Sequence, residues 1–139
     1  MINTVLTYRW KFVTEYEGQI KVGDNSMCNG VCVISFKRVS IGKNCKIAWP
    51  KMISDADFHP VDPSERVLQV TRQAFNISSV KSKEISIGDD VWIGWNCAIL
   101  IGVIIGNNSI VAAGSVGTSG QYPDNCIIAG NPAKVVKYI

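Results

Sequence analysis

The single histidine of the chain, His59, stands in the run Asp55-Ala56-Asp57-Phe58-His59-Pro60. Imidazole is the side chain whose unperturbed titration lies nearest neutral pH, so it is the candidate to take a proton from a neutral hydroxyl. A residue before proline is biased toward extended backbone, which can fix the ring's direction. If residues 55 to 59 are extended, Asp55, Asp57 and His59 project to one face, and a carboxylate, Asp57 ahead of Asp55, can orient the ring. The plainer reading makes His59 and Asp57 solvated loop residues. A second source of chemistry is the five cysteines, Cys28, Cys32, Cys45, Cys97 and Cys126, since a thiolate can carry an acyl group. They include no CxxC pair, and with one histidine they offer no structural zinc set within one chain.

These residues must be held by elements that the composition already restricts. At 139 residues one domain is expected. The chain is 47% hydrophobic and 18% charged, too apolar for disorder, and has no apolar run near the roughly 18 residues of a membrane span. Eighteen Ile and sixteen Val against three Leu favour strands and exclude a helical bundle. The net charge of +3 comes with no Lys/Arg cluster of the kind that tracks a phosphate backbone, which argues against nucleic acid and leaves room for a small anion. The first nineteen residues carry Arg9, Lys11, Glu15 and Glu17 and lack the apolar core of a secretory signal, so a cytoplasmic protein is expected.

Ile87, Ile93, Ile99, Ile105 and Val111 recur every six residues, and Gly88, Gly94 and Gly106 follow three of them. Four residues after each stands a small or β-branched residue: Val91, Cys97, Val103, Ser109, Ser115. A weaker block, Val22, Cys28 and Ile34, then Ile41, Ile47 and Ile53 one residue late, has the same period. An ordinary hairpin sheet needs turns 8 to 12 residues apart, so an identical corner every six points to a parallel β-helix. Aliphatic residues point inward, and Gly or Asn (Asn44, Asn96, Asn107, Asn108) supplies the corner's backbone angles. In this frame Cys28, Cys32, Cys45 and Cys97 are inward hydrophobes rather than nucleophiles, while Cys126 lies outside it. One domain divides into residues 1–19, first coils 20–58, a protruding loop 60–84, signature coils 85–117 and a C-terminal cap 118–139. A loop as long as 60–84 suggests an arm that reaches a site or a neighbouring subunit.

Three segments in order, DFHPVDPSER, IGDDVWIGWNCAILIGVIIGNNSIVAAGSV and AGNPAKVVK, resemble the active-site loop, signature coils and C-terminal cofactor segment of the hexapeptide-repeat acyltransferases. The resemblance implies an all-β, left-handed parallel β-helix; parallel crossovers are otherwise right-handed in about 98% of cases, so the hand comes from the family alone. It implies a homotrimer with active sites between subunits, and acetyl transfer from acetyl-CoA to a sugar hydroxyl, in a surface polysaccharide or its precursor, with His59 as general base and no metal. By the same resemblance Trp92 packs on the pantetheine, Ala113 and Gly114 line the channel, and Lys134 and Lys137 meet the phosphates. Trp95 stands where relatives have a small residue whose backbone amide faces the thioester carbonyl. Gly117, Thr118 and Ser119 replace a valine and a Thr-Lys pair, which removes a cation that serves the cofactor. Arg66 ties the arm down. A β-helical carbonic anhydrase needs three histidines at a two-subunit interface, which one per chain cannot supply. The alternative is a non-catalytic trimeric β-helix used as a scaffold or binding prism.

Overall fold

The computed structural model describes residues 11–49 and 51–139, and the expectations for residues 1–10 lie outside it. The chain winds through three parallel sheets in strict rotation. The first holds Lys11–Thr14, Val31–Ser35, Lys51–Ser54, Cys97–Ile99 and Val116–Gly117. Gln19–Val22, Arg38–Ile41, Ile85–Ile87, Val103–Ile105 and Gly120–Tyr122 form the second. The third contains Met27–Cys28, Lys46–Ile47, Trp92–Ile93, Ile110–Val111 and Cys126–Gly130, with Ala133–Tyr138 added antiparallel at its end. Strands of two to five residues alternating with tight corners make a β-helix whose core is the stack of inward side chains.

The core follows the six-residue period. Ile41, Ile87 and Ile105 stack in register on the second sheet, Ile47, Ile93 and Val111 on the third, and Ile53 and Ile99 on the first. All eight are buried, and so are the intervening Val91, Cys97, Val103, Ser109 and Ser115. Removing these surfaces from water is the main favourable term in folding.

The second coil departs from the expected frame. Val31 and Val33, not Cys32 and Ile34, face inward, with exposures of 1% and 0%. Cys32 is half-buried on the outer face, so its assignment as a core residue is corrected. Side chains alternate along a strand, so the one-residue slip falls before residue 33 and moves both residues to the opposite face. The slip falls at the corner before Val31, where Gly30 has φ of 60°; the next corner, after Ser35, is clamped by the buried carboxylate of Asp55, which accepts from Ser35 Oγ (2.8 Å), Phe36 N (2.6 Å) and Lys37 N (2.9 Å).

The corners assign different work to Gly and Asn. Asn25, Asn44, Asp90, Asn108 and Asn125 occupy one corner on successive coils with φ between 55° and 60°, the left-handed region. Their side chains form a partial ladder, Asn44 Nδ2 donating to Asp90 Oδ1 (3.1 Å) and Asn108 Nδ2 to Asn125 Oδ1 (3.2 Å). Asn107 has no positive φ; its Oδ1 accepts from Asp89 N at 2.8 Å. Gly88 and Gly106 are needed for space rather than backbone freedom. A Cβ at Gly88 would lie 2.9 Å from the backbone N of Asn107 and one at Gly106 2.5 Å from that of Asp124, contacts with the next coil's backbone that no side-chain rotation relieves.

The coil is longer at both ends than the repeat suggests. Lys11–Thr14 already pairs in parallel with Val31–Ser35. Gly120–Tyr122 and Cys126–Gly130 continue the winding past residue 117, with Tyr122 in the place of an inward isoleucine. Cys126 is therefore inside the repeat, 0% exposed, its N–H donating to Ser109 Oγ at 3.2 Å. The loop contains the helix Pro63–Val70, capped by Asp62, whose carboxylate accepts from Ser64 N and Glu65 N, with proline in the first turn. None of the helix's residues is buried, and Val67 and Val70 are 59% and 78% exposed. No helix among the described residues is long and apolar enough to cross a membrane.

Candidate active site

His59 is exposed and lies just past the end of the strand Lys51–Ser54, where the loop leaves the coil. The five residues before Pro60 are not extended, because Phe58 has φ of 65°. Asp55, Asp57 and His59 therefore do not share a face. Asp55 is 0% exposed and clamps the corner at Ser35–Lys37, a structural task that takes it out of the site. Asp57 is exposed, with its backbone N–H bound to Lys81 O (3.0 Å). The group on the imidazole is Gln69, from the last turn of the helix, with Oε1 2.8 Å from His59 Nδ1. Gln69 Nε2 donates to Phe58 O at 3.0 Å, which fixes the amide's orientation and makes its oxygen the acceptor. Nδ1 then carries the proton and Nε2 holds the free lone pair.

Gln69 is the residue the sequence reading missed. Its signal was local: Asp62, Pro63 and Glu65 mark a helix start, and that helix carries Gln69 back over Phe58. Arg66 does tie the arm down, Nη1 donating to Pro60 O (3.1 Å) and Val61 O (2.6 Å).

The residues assigned to the cofactor gather on one side of the coil. Lys46, Trp92, Ile110, Ile127 and Lys137 lie in register across the outer face of the third sheet. Lys134 pairs with Ala129, and a bulge between Ile127 and Ile128 puts both lysines opposite outward-facing residues. Without that bulge, two residues three apart would point to opposite faces. The corner beyond this sheet holds Trp95 (66% exposed) and, one coil on, the exposed Ala113 and Gly114, with Gly114 N bound to Trp95 O at 2.9 Å. Nothing stands within 4 Å of a Cβ built on Gly114, so the corner is open. His59 is not in this group. The four-residue strand Lys51–Ser54, about 13 Å of chain, separates the corner from the loop that carries it.

Lys51 occupies an inward position between Val31 and Cys97 in register, and it is 6% exposed. Its Nζ donates to Ile93 O (2.7 Å) and to Gly94 O. Burial is the main cause that pulls its pKa down to about 8, against the smaller opposing pull of the Cys97 and Cys28 thiols. The folded protein thus gives up this proton near pH 8 while the unfolded chain keeps it to about 10.5, so Lys51 contributes a stability that rises with pH across that window. The buried thiols act oppositely, Cys28 being raised to about 11 and Cys45 also raised, chiefly by burial, so that stability falls above pH 9. Lys51→Met isolates the lysine: denaturation of parent and variant from pH 7 to 10.5 is expected to show the parent gaining on the variant by roughly 3 kcal/mol. A constant difference over that range would contradict the burial of the charge.

Among known proteins, a family model described as the hexapeptide repeat of succinyl-transferase matches residues 84–118. A Saccharomyces cerevisiae protein named as an acetyltransferase is 39% identical over 129 residues, 92% of this chain and 60% of its own. The galactoside O-acetyltransferase of Escherichia coli is 34% identical over 125 residues, 89% and 56% of the two chains. The structure of a hexapeptide-repeat acetyltransferase from Vibrio cholerae in complex with acetyl coenzyme A superposes with a TM-score of 0.73 at 29% identity, covering 99% of this chain and 71% of that one. The chain spans about three fifths of the length of the curated relatives it matches.

Proposed function

We propose that the chain is an acetyltransferase of the hexapeptide-repeat type that moves the acetyl group of acetyl-CoA to a sugar hydroxyl, with His59 as general base. The observation that carries the reading is the pairing of His59 Nδ1 with Gln69, which in the neutral imidazole leaves the lone pair on Nε2 of an exposed residue. Nε2 takes the hydroxyl proton as the oxygen attacks the thioester carbonyl carbon. The developing oxyanion is met by the Trp95 N–H, the C–S bond breaks, and the imidazolium returns its proton to the leaving thiolate.

Acetyl-CoA lies along the outer face of the third sheet, its pantetheine against Trp92, Ala113 and Gly114 and its phosphates toward Lys134 and Lys137. Since the strand Lys51–Ser54 separates His59 from that face, the site is completed by the arm of a neighbouring chain in a homotrimer. Exposed Val61, Val67 and Val70 on the arm support such a contact. On the acceptor side, a cleft of about 940 Å³ presents the rings of Tyr16 and Phe36, 5.0 Å apart, and Phe58 meets Phe36 edge-on at 5.7 Å. Aromatic faces suit the C–H faces of a sugar ring. All five cysteines are free thiols, in keeping with the cytoplasm as the place of reaction and a polysaccharide precursor as acceptor.

Acetyl-CoA at 100 times its dissociation constant is expected to stabilise the protein by about 2.7 kcal/mol, with no comparable effect of zinc, as read by thermal melting. No shift with acetyl-CoA would leave only a non-catalytic prism. Replacing Lys134 and Lys137 with alanine is expected to raise KM for acetyl-CoA more than that for acceptor, with the gap closing in high salt. Equal weakening toward both substrates would contradict their assignment to the phosphates.

A further inference from the structure

Lys51 is a charged group inside a solenoid core, and nothing in the transfer chemistry above uses it. Its two acceptors are the carbonyls of Ile93 and Gly94, at the corner that leads to Trp95. Gly94 O and the Trp95 N–H belong to the same peptide group. A trans peptide points its C=O and N–H in opposite directions, so a carbonyl turned inward to the ammonium turns the N–H outward. The Trp95 N–H has no acceptor among the described residues, and Trp95 is exposed. A groove of about 410 Å³ starts at this corner, with Asn96, Ala98, Gly114 and Val116 among its walls.

An ammonium on a carbonyl oxygen draws electron density through the amide and makes its N–H a stronger donor, and the effect is larger away from water. We propose that Lys51 is a positioning residue for acetyl transfer: held inside the coil, its charge orients and polarises the Gly94–Trp95 peptide so that the Trp95 N–H binds the thioester oxygen as negative charge develops there. The inference rests on the reading of Trp95 given above. It also accounts for a buried charge that an apolar residue, such as the Val31 in register with it, would replace at less cost. The titratable groups that face the ammonium are the thiols of Cys97 and Cys28. Burial brings the Lys51 pKa down to about 8, within the pH range that the test below scans.

The test uses full-length protein labelled with 15N-tryptophan, the Trp95 amide signal being assigned by its loss in Trp95→Phe. That signal is expected to move as pH is raised through about 8, and kcat to fall with the same midpoint. In Lys51→Met both changes vanish and kcat at pH 7 drops roughly tenfold, a fraction of the 10²- to 10³-fold an oxyanion donor supplies. KM for acetyl-CoA stays within about twofold, because only transition-state binding is lost. A Trp95 signal that ignores the titration, or a Lys51→Met kcat within twofold of the parent, overturns the proposal. Should Lys51→Met fail to fold, the two midpoints in the parent decide: coincidence supports the proposal and separation refutes it. S-acetonyl-CoA, which keeps the carbonyl and cannot transfer it, separates the levels. A Trp95 amide that it leaves unmoved sinks the thioester reading and this inference with it. An amide that it shifts equally in parent and Lys51→Met sinks this inference alone.

Discussion

His59→Ala is expected to lower kcat by 10²- to 10⁴-fold while KM for acetyl-CoA stays near the parent value. A sugar hydroxyl is almost fully protonated at neutral pH, so its attack on a thioester depends on a base that takes the proton during bond formation. His59 offers one in a fixed direction, with Nδ1 bound to Gln69 and the ring exposed. The residues assigned to coenzyme A stand on another face, so binding survives the change. Folding survives too, because the ring is solvated and its loss opens no cavity. The variant's melting temperature should match the parent's, which separates lost chemistry from lost structure. Steady-state patterns should show both substrates bound together. Parallel lines with an isolable acetyl-enzyme would contradict direct transfer, and so would a His59→Ala kcat within tenfold of the parent.

Ile93→Ala and Ile99→Ala are each expected to cost about 2 to 5 kcal/mol in denaturant unfolding. Ile93 is 0% exposed and stacks in register between Ile47 and Val111; Ile99 is 1% exposed and stacks on Ile53. A solenoid coil touches only the coils beside it, so the cavity cannot be filled from elsewhere in the core. Losses below about 0.5 kcal/mol at both positions would mean that these side chains are not the core.

The signature coils were legible because their period of six maps one residue onto one sheet without exception from Ile87 to Val111. The second coil was not, since Val31, Cys32, Val33 and Ile34 are all apolar and alternation among them cannot say which pair faces inward. The corner at Gly30, just before Val31, settles that in three dimensions. His59 was found by type and by the loop that holds it, but its partner was not. The expectation of a carboxylate two residues away assumed extended backbone, and the positive φ of Phe58 broke that assumption, whereas Gln69 arrives through a helix ten residues on. Lys51 was hidden for a different reason. A lysine in a short strand ordinarily faces water, and only the register that sets it between Val31 and Cys97 shows it inside.

The most direct measurement of the central claim is a screen of mono- and oligosaccharide acceptors with acetyl-CoA, following release of the free coenzyme A thiol. Thiol release that depends on both a sugar and His59, with one acetyl ester formed per thiol, is the predicted result. Acetyl-CoA bound but left intact with every sugar, or thiol released at the same rate without acceptor and by His59→Ala, would contradict it.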